Sequence, residues 1–257
     1  MSRWRWLRPA YWLPLVVMLV VLGVGWHFGA RRWPYLLPPL REVGTELRQD
    51  PGFFLRNALV TLREAVAGLG IGFGAAFLLA VVVSELPLAR RAIMPVAVVL
   101  SVTPLVAIAP VLVVAFGFGI MPKLVLVALI CFFPILINVA TGLRAVPEPM
   151  LQVYRTMHAS RWELLRHLRV PNALPYVFAA LQIVFPLSVI GAVVAELSAA
   201  GYADGLGTTI QVASSRNNLP LVWAAIGVLA VMGALLLLLV TVVERRVLTW
   251  HDSGRAR

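Results

Sequence analysis

Six long runs of apolar residues constrain this chain more than any other feature of its sequence. Each run is close to the roughly 20 apolar residues that a helix needs to cross a bilayer. Lipid offers the backbone no hydrogen-bond partners, so such runs are expected to be helical. The sequence therefore predicts a single all-α integral membrane domain over residues 1–257. Its six predicted transmembrane helices are 11–30, 65–83, 94–116, 121–143, 176–198 and 220–243.

The net charge of +11 is distributed as in a membrane protein, and no nucleic-acid partner is expected. Short cytoplasmic loops usually carry an excess of Lys and Arg. If both termini are cytoplasmic, 14 of the 22 basic residues lie on that side. They are Arg3, Arg5, Arg8, Arg90, Arg91, Arg144, Arg155, Arg161, Arg166, Arg169, Arg245, Arg246, Arg255 and Arg257. We therefore predict a multi-pass protein in the lipid bilayer with cytoplasmic N- and C-termini. The first run fits a retained helix better than a cleaved signal peptide, because it is long and Gly29–Arg32 makes a poor cleavage site.

Residues that could carry enzyme or metal chemistry are scattered. The four histidines have no metal-ligand spacing, and Cys131 is the single cysteine. The only lysine, Lys123, is followed by Leu124, so the chain has no phosphate-binding G-K-[ST] motif. We therefore expect no enzyme activity, no metal and no cofactor on this chain. If nucleotide hydrolysis drives transport, a separate subunit must carry it out.

A polar, basic loop over residues 144–175 separates the fourth and fifth runs. Pro147 and Pro149 are expected to end the preceding helix, because proline lacks the N–H and restricts the residue before it. Ser160, with Glu163 three residues later, predicts a capping box at the start of a second short helix. That helix is expected to end at Val170–Pro171. The sequence thus predicts two short amphipathic helices that bind a partner.

This loop resembles the cytoplasmic coupling loop, the EAA motif, of permease subunits of bacterial ATP-binding-cassette (ABC) importers. The family pattern is E-A-A, three residues, Gly, nine residues, Ile, one residue and Leu-Pro. The matching positions here are Gln152–Tyr154, His158, Leu168 and Val170–Pro171. The spacing is kept, but Gln152 replaces the acidic first residue and His158 replaces the glycine. Histidine tolerates a positive φ better than most residues, so a left-handed turn between the two short helices is still expected at His158.

Further motifs extend the resemblance to most of the chain and to the nitrate/sulfonate/taurine branch of the family. They are Tyr35–Pro38, Pro104-x-x-Ala107-x-x-Pro110, Phe116-Gly117-x-Gly119 with Lys123, Phe132–Asn138 and Val194–Glu196. The resemblance implies the fold of a type I importer permease in the bacterial inner membrane. It also implies a homodimer, separate ATPase subunits that bind ATP and Mg²⁺, and an extracytoplasmic solute-binding protein.

The resemblance implies roles for residues in the 144–175 loop. The ATPase-coupling residues are expected to be Gln152, Tyr154, Met157, His158, Ser160, Arg161, Trp162, Glu163, Leu165 and Pro171. Among them, the expected apolar contacts are Tyr154, Met157, Trp162 and Leu165, with Arg161 and Arg166 at the rim. In the alternative interpretation these aromatic residues lie in the lipid interface, where Trp and Tyr are common.

Polar residues and prolines within the predicted spans indicate a translocation pathway through the third, fourth and fifth spans. The expected pathway residues are Ser101, Thr103, Pro104, Pro110, Asn138, Pro186, Ser188 and Glu196. The prolines are expected to interrupt helices, which membranes tolerate where the backbone lines a cavity or is buried in protein. A structural kink is the alternative for each proline. Glu196 fits a functional and an interfacial role equally well.

Two other groups have structural interpretations. Gly68, Gly72 and Ala76 recur every four residues, which is typical of close helix packing in membranes. Arg63, Glu64 and Lys123 are expected to anchor the outer ends of two spans at the lipid interface, although attraction of an anionic solute is an alternative.

These features distinguish three possible classes of function. The leading prediction is an importer permease for a small anionic solute, sulfonate-like or nitrate-like, with a thiamine pyrimidine precursor as the alternative solute. An ion-driven secondary transporter would usually show inverted repeats and pathway carboxylates, which are not evident. A membrane-embedded enzyme would need a catalytic constellation that the sequence lacks. The binding protein sets the solute in such systems, so this sequence leaves the solute open.

Overall fold

A computed structural model of the protein describes residues 9–198 and 204–248. This part of the chain forms eleven α-helices and contains no strand. The helices are α1 (Pro9–Arg32), α2 (Leu40–Gln49), α3 (Pro51–Glu85), α4 (Pro87–Val102), α5 (Ala109–Phe116), α6 (Ile120–Arg144), α7 (Glu148–Thr156), α8 (Arg161–Leu164), α9 (Val170–Ser198), α10 (Leu206–Ser215) and α11 (Leu219–Val247). Arg3, Arg5, Arg8, Arg255 and Arg257, which enter the charge count, lie outside the described residues.

Four continuous helical stretches are long and apolar enough to cross a membrane: Pro51–Glu85, Ile120–Arg144, Arg161–Ser198 and Leu219–Val247. A fifth span results if the bent pair Pro87–Val102 and Leu105–Phe116 is counted as one. The predicted first span falls in α1. The all-α membrane class is confirmed, and the count of six spans stays a prediction.

The centre of the bundle is formed by α3, α6 and α9. Small residues let α3 and α6 approach closely. A Cβ atom added at Gly68 would lie 2.5 Å from the Cβ of Val127, and one at Gly72 would lie 2.6 Å from the carbonyl oxygen of Ala128. Ala76 is fully buried on the same face. The stripe of small residues therefore lies in the α3–α6 interface.

The third predicted span is broken, and 94–116 is not one straight helix. Helix α4 ends at Val102, and the chain bends by 84° before it continues. Pro104 has no N–H to donate to the preceding turn, so the helix ends just before it. A short 3₁₀ turn, Leu105–Ile108, follows the bend. Pro110 then lies in the first turn of α5, where its missing N–H costs nothing. The break is therefore caused by Pro104 and not by Pro110.

Two predicted pathway hydroxyls close the end of α4. Ser101 Oγ donates to the carbonyl of Val98 at 2.7 Å, and Thr103 Oγ1 donates to the carbonyl of Val99 at 3.0 Å. The last carbonyls of a helix lack partners within it, and side-chain hydroxyls commonly supply them. Thr103 Oγ1 thus satisfies the carbonyl of Val99, because the N–H of Thr103 donates to the carbonyl of Leu100 instead, and Ser101 binds the carbonyl of Val98 within the last turns of α4.

The predicted end of the second short helix at Pro171 is wrong. Helix α8 runs through a π-helical turn, Leu165–Arg169, directly into α9. In this turn the N–H of Val170 donates to the carbonyl of Leu165, five residues earlier. Pro171 follows where the α-helical ladder is already interrupted, so its missing N–H does not end the helix. Arg161–Ser198 is consequently one helical stretch of 38 residues.

Helix α9 also continues past two further prolines. Pro175 and Pro186 both lie inside it, and the helix ends only at Ser198. The prediction that Pro186 interrupts the fifth span is therefore wrong. Neighbouring helices pack around this stretch, and membrane helices tolerate proline where surrounding groups satisfy the freed backbone.

Candidate functional site

The turn between α7 and α8 is fixed by a capping box, as predicted. The backbone N–H of Ser160 donates to Glu163 Oε2 at 2.7 Å, and Ser160 Oγ donates to the same oxygen at 2.8 Å. In return, the N–H of Glu163 donates to Ser160 Oγ at 3.3 Å. The backbone hydrogen bond from Ser160, followed by the one from its hydroxyl, lowers the pKa of the exposed Glu163 carboxyl. This arrangement satisfies the first N–H groups of α8.

His158 supplies the left-handed residue that the turn requires. Its φ is +54°, in the region where glycine is usual, which confirms the expected backbone at this position. The N–H of the next residue, Ala159, donates to the carbonyl of Tyr154 at 3.1 Å and closes the end of α7. The imidazole itself is exposed.

An apolar surface on this loop faces outward. Met157 is 72% exposed and Trp162 is 67% exposed, and Met150 and Val153 on α7 are exposed as well. We call these four side chains the coupling surface. The sequence reasoning missed Met150 and Val153, although the successive spacings of three and four residues from Met150 to Val153 and from Val153 to Met157 indicate one helix face.

Leu165 does not belong to the coupling surface. It is 7% exposed and packs in the main hydrophobic core of the bundle. The prediction that it contacts a partner is therefore wrong. Trp162 and Leu165 both lie in the stretch that begins at Arg161, and Leu165 is the first residue of the π turn, on the side of the helix that packs in the core. Tyr154 is half-buried, whereas Gln152, Arg161 and Pro171 are exposed.

The opposite end of the bundle holds a buried polar cluster around Glu196. Glu196 is fully buried and accepts a hydrogen bond from Thr61 Oγ1 at 2.7 Å. Its other oxygen accepts from the N–H of Gly207 at 2.5 Å. Glu196 therefore joins α9 to α3 and to the start of α10, and it is not an interfacial residue. The carboxyl group of Glu196 can lie this close to the start of α10 only because residue 205 is glycine. A Cβ atom added there would lie 2.3 Å from the carboxyl carbon of Glu196.

Two residues that the sequence reasoning missed complete this cluster. Thr61 Oγ1 accepts from the N–H of Leu206 at 2.9 Å, and Asn57 Oδ1 accepts from the N–H of Gly205 at 2.9 Å. Together with Glu196, these side chains satisfy N–H groups at the start of α10 that have no partner within the helix. Asn57, Thr61 and Glu64 lie four and three residues apart on α3, a polar stripe that indicates a buried face. The predicted span begins at residue 65 and leaves this stripe out.

Lys123 and Glu64 form a buried ion pair between α6 and α3. Lys123 Nζ lies 2.7 Å from Glu64 Oε1, and the two side chains are 6% and 5% exposed. The prediction that they are interfacial anchors is therefore wrong for both residues, because each finds its counter-charge on the facing helix. Arg63, next to Glu64, is exposed.

The remaining pathway residues are spread through the chain. Asn138 Nδ2 donates to the carbonyl of Pro134 at 2.8 Å, and the buried Ser188 Oγ donates to the carbonyl of Phe185 at 2.7 Å. Within residues 9–198 and 204–248, no hydrogen bond joins any two predicted pathway residues. An open groove of about 640 Å³ lies along α4, and none of the predicted pathway residues lines it. It is lined by Arg90, Arg91, Met94, Pro95 and Val98.

The described residues contain no group of three or more His, Cys, Asp or Glu that could hold a metal ion. The lone cysteine, Cys131, is buried in α6.

Comparison with known proteins gives relatives along the whole chain. A riboflavin transport system permease protein of Chloroflexus aurantiacus is 31% identical, with 98% of this chain and 94% of the relative covered. A formylaminopyrimidine transport permease protein of Halalkalibacterium halodurans is 31% identical, with coverage of 92% and 95%. The taurine transport system permease protein of Escherichia coli is 28% identical, with coverage of 98% and 94%.

The fold matches a solved transporter. An inward-facing structure of the MetNI methionine ABC transporter aligns with a TM-score of 0.67 and 18% identity, with 76% of this chain and 96% of that chain covered. The sequence model of the family described as "Binding-protein-dependent transport system inner membrane component" matches residues 68–249. The chain therefore belongs to this family, as a non-enzymatic permease subunit of an ABC importer whose ATPase is a separate subunit.

Proposed function

We propose that two copies of this chain form the membrane-spanning part of the importer, and that the coupling surface of each copy binds one cytoplasmic ATPase subunit. The observation that carries this proposal is the position of Trp162. This exposed side chain lies in the first turn of the continuous helical stretch Arg161–Ser198. A partner bound to Trp162 therefore holds the start of a membrane-spanning helix.

The helical stretch is well suited to act as a lever. A 38-residue helix is about 57 Å long at 1.5 Å per residue. It has no loop between the coupling surface and the membrane, so a displacement at Trp162 is not absorbed by a flexible link. The Ser160–Glu163 capping box fixes the start of this lever. ATP and Mg²⁺ belong to the ATPase partner in this proposal.

The proposed orientation places the coupling surface and both termini in the cytoplasm. Exposed arginines at the same end of the bundle support it, since basic residues concentrate on the cytoplasmic side. They are Arg90, Arg91, Arg144, Arg245 and Arg246.

The proposed second copy completes the pathway. In one copy, Ser188 and Glu196 are buried among their own helices, while Ser101 and Thr103 are exposed at the break after α4. A path lined by the break therefore needs another surface opposite it. A second copy of the same chain supplies that surface with closed two-fold symmetry.

Two solute classes remain, and we take the pyrimidine class as the leading one. The two relatives at 31% identity are named for riboflavin and formylaminopyrimidine, which both contain a pyrimidine ring. The relatives named for aliphatic sulfonates and taurine are 28% identical. In addition, Lys123 is neutralised by Glu64, so it is not free to attract an anion. A sulfonate-like or nitrate-like anion is the second candidate.

Co-purification with a candidate ATPase subunit tests the coupling proposal. We expect Trp162→Asp to weaken ATPase binding by about tenfold or more, as for a central aromatic residue of an interface. Trp33→Asp is the matched control, because Trp33 is 47% exposed at the opposite end of the bundle. Equal ATPase binding by the native chain and both variants would contradict the proposal.

Binding of solutes to the partner binding protein tests the solute class. Thermal-shift measurements with formylaminopyrimidine, riboflavin, taurine and nitrate should show stabilisation by a pyrimidine compound. Stabilisation by taurine or nitrate alone would select the anionic class.

A further inference from the structure

An ion pair ties the end of the π-helical turn to the end of another span. Arg169 is the last residue of the turn Leu165–Arg169, and its guanidinium donates to Glu85 Oε1. Glu85 is the last residue of α3. The two side chains are 21% and 25% exposed, so the pair is largely shielded from water. An ion pair in such a place is screened less by salt than a surface pair.

The π-helical turn is therefore fixed at two points. Its first residue, Leu165, packs in the core, and its last residue, Arg169, is held by Glu85. The described residues contain two other ion pairs, and neither one connects the loop to a different span. Glu148 and Arg155 pair within α7, and Glu64 and Lys123 pair at the other end of the bundle.

Glu85 lies at the elbow between α3 and α4. Leu86 has an extended backbone, with φ −111° and ψ 104°, and Pro87 begins α4. Helix α4 then leads to the 84° bend of the broken span. A displacement of Arg169 therefore reaches the elbow directly, and α4 carries it toward the break. π-helical turns are frequent at functional positions of helices.

We propose that Arg169 and Glu85 are a positioning pair, which transmits the displacement of the coupling loop to the α3–α4 elbow and so to the broken span. This inference rests on the proposed function, because it assumes that the ATPase displaces the loop. The pair does not contact the solute. It determines whether movement of α9 is shared by α4.

A fluorescent label at the break measures this transmission without any solute. Val102 is 80% exposed at the end of α4, and the native Cys131 is buried, so Val102→Cys can be labelled selectively. The labelled chain is reconstituted with its ATPase in proteoliposomes, and the change in fluorescence on adding ATP is recorded. ATPase binding is measured in the same samples.

The variants neutralise or exchange the pair. We expect Glu85→Gln and Arg169→Gln to reduce the ATP-dependent change by about five- to tenfold and to leave ATPase binding within about twofold. The double variant Glu85→Arg with Arg169→Glu should recover at least about half of the change, because it restores the ion pair. Arg245→Gln, an exposed arginine at the same end of the bundle, should behave as the native chain.

The outcomes separate the two proposals. If the ATPase binds and both neutral variants respond to ATP as the native chain does, the inference is wrong and the proposed function stands. The inference is also overturned if the labelled Val102→Cys chain, with the Arg169–Glu85 pair intact, binds the ATPase but shows no change in fluorescence on adding ATP. If no ATPase binds to the native chain, the proposed function fails first. Gel filtration of every variant shows whether a lost response comes from misfolding. A charge-exchanged variant that folds and binds the ATPase but recovers no response overturns the inference.

Discussion

Lys123 Nζ lies 2.7 Å from Glu64 Oε1, and this ion pair has almost no access to water. Breaking such a pair leaves one charge buried without compensation. We expect Lys123→Met to lower the free energy of unfolding by about 3–5 kcal/mol, whereas Lys123→Met with Glu64→Leu should recover most of the loss. Unfolding in detergent micelles measures both. Arg63→Met, which removes the exposed neighbouring charge, is the control. An equal effect of Arg63→Met and Lys123→Met would contradict the pairing.

Glu196 should hold the start of α10 in place. Its carboxylate accepts from Thr61 and from the N–H of Gly207. Glu196→Ala leaves the N–H of Gly207 without a partner, whereas Thr61 Oγ1 still has the carbonyl of Asn57 at 3.2 Å. Local opening of α10 should therefore become easier by about 1–3 kcal/mol. Hydrogen exchange of residues 204–215 measures this as faster exchange of the first amides of α10. Glu42→Ala, at an exposed site on α2, should change nothing there. Unchanged protection in Glu196→Ala would show that α10 is held by other contacts.

Gly72 should not tolerate even alanine. A Cβ at this position would lie 2.6 Å from the backbone oxygen of Ala128, so α3 and α6 must separate. We expect Gly72→Ala to cost about 1–3 kcal/mol of unfolding free energy, as overpacking does. Gly74 lies on the same helix with open space around its Cβ position, so Gly74→Ala is a matched control. Melting temperatures that fall equally for both variants would refute the close contact.

The Glu163 carboxyl of the capping box should titrate at a lower pH than an ordinary glutamate. Glu163 has a lowered pKa because Ser160 donates to its carboxylate. A lowered folded-state pKa means that the stabilisation is present above the ordinary glutamate pKa and is lost as pH falls through the folded value. NMR titration of a ¹³C-labelled Glu163 carboxyl should give a pKa below the ordinary glutamate value. Ser160→Ala should return it toward that value, and a pKa that does not respond to this substitution would contradict the capping box.

The apolar runs and the loop motif predicted much of this structure. Runs of apolar residues fix the helical class because lipid permits little else. Ser160, Glu163 and His158 act within one turn of backbone, so their capping box and positive φ follow from local sequence. These predictions needed no knowledge of which helices are neighbours.

The errors at Glu64 and Leu165 originate in contacts between distant segments, and the error at Pro171 originates in a local π turn. Glu64 is predicted to lie at the lipid interface, but α6 places Lys123, 59 residues later in the sequence, beside it. Leu165 is predicted to contact a partner together with Trp162, but it packs in the core that distant helices form. Pro171 usually ends a helix, and only the preceding π turn allows α9 to continue. Pattern within a single helix does not specify its neighbours.

A cross-link from Met157 tests the central claim, that the coupling surface binds the ATPase. Met157 is 72% exposed and Cys131 is buried, so Met157→Cys provides a single reactive thiol. A short thiol-directed cross-linker is applied to the complex in proteoliposomes. Val243→Cys, an exposed position on the long span α11, is the control. We predict a cross-link to the ATPase subunit from position 157 and none from position 243. Absence of any cross-link from 157, with an assembled complex in the same sample, would contradict the account.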